Sequence, residues 1–107
     1  MSRYDVIIIG AGPGGIFAAY ELAKKAPELK VAVFEAGNSL EKRKCPIDGK
    51  KIKSCINCKT CAIMSGFGGA GAFSDGKYNI TNDFGGTLYE YIGKDTAIDL
   101  MKYVDEI

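Results

Sequence analysis

The 107-residue chain has room for one small domain, and its 47% apolar and 25% charged content is ordinary for a globular protein. A net charge of +1 gives no global field that would gather nucleic acid, and no apolar run approaches the roughly 18 residues a membrane span needs. The lack of any histidine excludes histidine-based acid–base catalysis and histidine metal ligation within the chain.

Arg3 and Asp5 precede the first apolar run and glycines follow it, so the amino terminus does not read as a signal peptide and the expected location is cytoplasmic. Val6 to Ile9 is a continuous β-branched run, the pattern of a strand covered on both faces. It ends in Gly10-Ala11-Gly12-Pro13-Gly14-Gly15, which satisfies G-x-G-x-x-G at Gly10, Gly12 and Gly15. Helical spacing then runs from about Pro13 to Lys25, with Ile16, Ala19, Tyr20 and Ala23 on one face and small Ala18 and Ala19 suited to close packing. Pro27 stops the helix, and a second apolar run, Val31 to Phe34, leads into Glu35.

This order of elements gives each glycine a task. Gly10 permits the tight exit from the strand, Gly12 removes a Cβ that would hold a pyrophosphate away, and Gly15 lets the helix approach the sheet. Pro13 suits the first helical turn, whose free N–H groups and dipole face an anion. Glu35, 20 residues past Gly15, stands where a carboxylate accepts both hydroxyls of an adenosine ribose. The context of strand, glycine turn, helix, strand and acid predicts an α/β fold: a partial Rossmann-type βαβ unit with parallel strands that binds a dinucleotide, FAD or NAD(P).

Ala36-Gly37-Asn38-Ser39 is turn chemistry, and residues 40 to 61 show neither helical nor strand periodicity. Between Glu41 and Cys61 seven basic residues (Lys42, Arg43, Lys44, Lys50, Lys51, Lys53, Lys59) face only two acidic ones (Glu41, Asp48). All four cysteines fall here, as C-x9-C-x2-C-x2-C at Cys45, Cys55, Cys58 and Cys61. Three readings compete: a four-thiolate site for zinc or an iron–sulfur cluster, redox or disulfide chemistry at C-x-x-C, and four inert thiols.

Residues 62 to 83 carry Gly66, Gly68, Gly69, Gly71 and Gly76 with Phe67, Phe73 and Tyr78, too glycine-dense for an ordinary helix. Backbone that passes close to a flat ligand or to another backbone fits this composition better than a solvated linker. Lys77 to Thr81 is expected as a short strand, Thr87 to Ile92 as one or two helical turns, and Gly93 as a break. From Asp95, expected as N-cap, Ala97, Leu100, Met101, Val104 and Ile107 recur at helical spacing, a stripe suited to packing on the body.

The amino-terminal residues, Ala19 four positions past Gly15 included, resemble the FAD-dependent dehydrogenases and oxidoreductases of the glutathione-reductase-like flavoprotein class. The cysteine segment together with Gly66 to Lys77 is similar to a bacterial and archaeal group of largely uncharacterised FAD-dependent dehydrogenases. The resemblance implies that Gly10, Ala11, Gly12, Pro13, Gly14 and Gly15 embrace the FAD pyrophosphate and that Glu35 and Ala36 meet the adenosine ribose. It further places Lys42 or Arg43 near the adenosine end and Gly68, Gly69, Ala70, Gly71 and Ser74 beside the pyrophosphate or flavin, with Asp75 and Tyr78 as contacts of unassigned role.

Members of that group are several times longer, so the chain is read as a single incomplete dinucleotide-binding domain over 1–107. It divides into a βαβ unit (1–36), a cysteine segment with the second glycine loop (37–83) and a helical segment (84–107). The leading expectation is the FAD-binding amino-terminal portion of a flavin-dependent oxidoreductase, with exposed sheet edges that favour self-association. The alternatives are a nonenzymatic nucleotide- or metal-binding electron-transfer module and an NAD-binding unit.

Overall fold

In the computed structural model, which describes residues 3–107, the first strand β1 spans Val6–Ile9, helix α1 spans Pro13–Lys25 and strand β2 spans Val31–Phe34. β1 and β2 pair in parallel with Val6 opposite Val31 and Ile9 opposite Phe34. This is a βαβ unit with Rossmann-like connectivity. The ladder is closed at both ends: Asp5 N–H donates to the Lys30 carbonyl (2.9 Å), and Gly10 N–H donates to the Phe34 carbonyl (2.7 Å).

Alternation along the strands decides what α1 covers. Val6, Ile8, Val31 and Val33 share the face toward α1, whose Ala19 and Ala23 border a groove with Val31 and Val33. The opposite face carries Ile7, Ile9 and Phe34, with Ile9 82% exposed. The β-branched run therefore has cover on one side only, where two-sided cover was expected. Tyr20, expected on the inner helix face, is turned outward and lies under the Lys24 ammonium, 5.8 Å from the ring centroid.

From Gly37 to Ser74 the chain is irregular apart from single 3-10 segments at Leu40–Lys42 and Gly69–Phe73. This unit ends at Ser74, and Asp75–Ile107 forms a second compact unit. There, helix α2 (Leu88–Ile92) packs against helix α3 (Lys94–Asp105), and Ala97 is buried. Two expectations fail in this unit. Lys77 to Thr81 pairs with no strand, stays irregular and is largely exposed, and α3 is capped by Gly93 at φ +84° rather than by Asp95, which lies within the first turn. No helix among the described residues is long and apolar enough to cross a membrane.

Candidate dinucleotide site at the junction of two glycine segments

Ala11, 1% exposed, is the meeting point of three segments. Its N–H donates to Glu35 Oε2 at 2.8 Å, and its carbonyl accepts the Gly68 N–H at 2.7 Å. The other Glu35 oxygen, Oε1, accepts the Gly37 N–H at 2.8 Å. One carboxylate thus locks the exit of β1 to the exit of β2, while the second glycine segment is pinned to the first. Each oxygen keeps a further lone pair for an incoming hydroxyl.

The backbone approach is close enough to require glycine on both sides. A Cβ on Gly37 would lie 2.5 Å from Gly66 Cα, and a Cβ on Gly66 would lie 2.5 Å from Arg43 Cδ. Gly69 in turn sits against Gly12 and Pro13, where a Cβ would come within 3.0 Å of Gly12 Cα. The face at Gly14 is open by contrast, since a Cβ there would meet nothing within 4 Å. The first N–H groups of α1 have no intrahelical partner, and Pro13 contributes none. An open face beside free amides, a small-residue wall and a carboxylate 24 residues on fits the pyrophosphate and ribose of a dinucleotide.

Arg43 organises the second segment. It is 4% exposed, and its guanidinium donates to four carbonyls: Ala62 (Nε, 2.8 Å), Ile63 (2.7 Å), Phe67 (2.7 Å) and Gly69 (2.9 Å). Its carbon Cζ also stands 4.9 Å from the centre of the Phe73 ring. The planar five-donor fork suits this array, which a point-charge ammonium cannot match. The resemblance placed Lys42 or Arg43 near the adenosine end of a ligand; in this structure the Arg43 donors are turned to the chain's own backbone. Lone pairs of four loop carbonyls leave no mark in composition, so this role was not readable in advance.

Of the remaining expected site residues, Ala36 borders a cleft of about 590 Å³ that Glu35, Gly37, Gly66 and Gly69 also line. Ala70 and Gly71 lie along the 3-10 segment, and Ser74 follows it with its N–H on the Gly71 carbonyl (3.1 Å). Lys42 is exposed in the short 3-10 turn. Asp75 and Tyr78 belong to the second unit, where Asp75 Oδ1 accepts the Lys77 N–H and the Tyr78 hydroxyl donates to the Met101 carbonyl. Gly37 was missed as a close-approach position, although a lone glycine two residues past the terminal acid was the available signal.

Glu35 is held below the ordinary carboxylate range, first by the Ala11 N–H, then by the Gly37 N–H, with partial burial opposing and Arg43 assisting. A lowered pKa means the ionised form favours the folded state. The junction should therefore be fully held above the ordinary glutamate value of 4.5 and loosen as pH falls through the lowered one. An acid titration followed by backbone NMR of Ala11 and Gly37 tests this, and unaltered Ala11 and Gly37 amide signals through that range would refute it.

Sequence comparison places the amino-terminal unit among known proteins. The Thi4 family model matches residues 1–41. A thiamine thiazole synthase of Yarrowia lipolytica is 64% identical over 33 residues, 31% of this chain and 10% of that protein. One of Fusarium oxysporum is 57% identical over 35 residues, 33% of this chain and 11% of that protein. An uncharacterized protein of Clostridium beijerinckii is 39% identical over 71 residues, 66% of this chain and 13% of that protein. The chain thus spans about a tenth of the length of these curated relatives. No solved structure matches.

Proposed function

We propose that the chain is the FAD-binding amino-terminal portion of a flavin-dependent oxidoreductase, a dehydrogenase in its complete form. The observation that carries this reading is the threefold junction at Ala11, where glycine turn, acid and second glycine segment meet. The N–H groups of Gly12, Gly14 and Gly15 would receive the pyrophosphate and Glu35 the adenosine ribose, with Ala36, Gly68 and Gly69 as walls. Bound FAD supplies the hydride- or electron-accepting ring, and the protein's share is binding and orientation. The match to the Thi4 family covers the βαβ unit, so it supports nucleotide binding and brings no thiazole chemistry to this chain.

Titration of the 107-residue chain with FAD, followed by flavin fluorescence, tests the reading. FAD should bind, and Glu35→Gln should weaken it by about tenfold or more, because the amide loses the charge and presents donors to N–H groups. Binding of NAD with none of FAD would replace the flavin reading by the NAD one. Equal FAD affinity for both proteins would remove Glu35 from the ribose site.

A further inference from the structure

Cys45, Cys55, Cys58 and Cys61 all line one pocket of about 300 Å³, walled on its apolar side by Ile47 and Ile56. All four are free and exposed. Sequence spacing alone left their use open, but the fold brings Cys45, ten residues upstream of the others, to the same cavity. Among the described residues no group of three acidic, thiol or imidazole side chains stands ready to hold a single ion. The four cysteines are instead spread around the lining of one pocket. A cluster asks for that arrangement, since each thiolate then binds a different iron.

Local backbone geometry agrees. Asn57 is the one non-glycine residue at positive φ (+52°) among the described residues, and it turns the chain back between Cys55 and Cys58. Its N–H donates to Cys55 Sγ at 3.4 Å, the kind of amide–sulfur bond that favours a thiolate and tunes a cluster. Upstream, Asp48 Oδ1 accepts the N–H groups of Lys50, Lys51 and Ile52 (2.8, 2.8 and 2.9 Å), which fixes the loop between Cys45 and Cys55. Three cysteines at two-residue gaps plus a remote Cys45-Pro46 follow the bacterial cluster run, in which the fourth ligand comes from elsewhere in the chain. Lys44, Lys50, Lys51, Lys53 and Lys59 offset the negative charge that four thiolates leave on the assembled centre.

We infer that these four cysteines form the binding site of a four-iron, four-sulfide cluster. Each thiol gives up its proton and bonds one iron of a cluster assembled from two ferrous ions, two ferric ions and four sulfides supplied from solution, so assembly requires no further oxidant. Cys58 and Cys61 also line the cleft that holds Glu35 and Gly66, so the cluster would share a wall with the dinucleotide site. The inference does not rest on FAD binding and is tested on flavin-free protein.

The test is anaerobic reconstitution of the chain with equal amounts of ferrous and ferric iron and with sulfide. About four irons and four sulfides per chain are expected, with broad visible absorption that dithionite bleaches. Serine at any one of Cys45, Cys55, Cys58 or Cys61 should remove most of that absorption, whereas Asn57→Gly, which keeps the left-handed turn, should retain it. Electron paramagnetic resonance of the reduced wild-type chain reads the centre directly if a serine variant fails to fold. Iron uptake equal to that of the fourfold serine variant, or uptake of one zinc with no iron, would overturn the inference.

Discussion

Arg43→Ala should lower the stability of the amino-terminal unit by about 3 kcal/mol, the scale of a few charged hydrogen bonds lost together. The reason is geometric. One guanidinium serves the carbonyls of Ala62, Ile63, Phe67 and Gly69, and these lie on both sides of the Gly66 close approach. Without it, four part-buried carbonyls lose their donor and the second glycine segment loses its anchor, although Gly68 still reaches Ala11. FAD affinity should fall in parallel even if Arg43 never touches the ligand. Arg43→Lys should recover only part of the loss, because three donors on a flexible stem cannot reach four carbonyls in a plane. Urea denaturation of the three proteins gives the comparison, and full rescue by lysine would show that charge, not the fork, is what matters.

Gly15→Ala should be at least as damaging, at about 3 kcal/mol or more for an overpacked backbone site. An added Cβ there would overlap the Gly10 carbonyl oxygen and come within 3.2 Å of Ile8 Cγ2. The obstacle is backbone on one side and the only covered sheet face on the other, so neither can yield without parting α1 from β1. Gly14→Ala is the matched control, one residue away with open space around its Cβ, and helix propensity even favours it by up to about 1 kcal/mol. Thermal unfolding followed by circular dichroism should separate the two sharply. Similar melting curves for both variants would mean the helix does not seat on the sheet as described.

The parts of the fold that could be read from the sequence are those where local chemistry and tertiary packing agree. Pro13 at the first helical turn, the β-branched run before it and the terminal acid after the second strand bounded β1, α1 and β2 correctly. The glycine-dense segment was rightly excluded as an ordinary helix and read as backbone passing close to a ligand or another backbone, but that its neighbour is the first glycine turn was not legible. The strand expected at Lys77 to Thr81 failed because period alone does not supply a hydrogen-bonding neighbour. Asp95 lost the capping position because Gly93, at the positive φ of +84°, ends α2 and starts α3 at once. Arg43 and Asn57 were hidden for a different reason: their partners are backbone atoms of distant loops, which residue identity does not encode.

Ile7, Ile9 and Phe34 remain wet, so the energy that would come from dehydrating them is not yet spent within this unit. Anything that settles on them adds its free energy of association to the folding balance, in proportion to the logarithm of its abundance. The melting point of these residues is therefore a property of their company as much as of their own bonds.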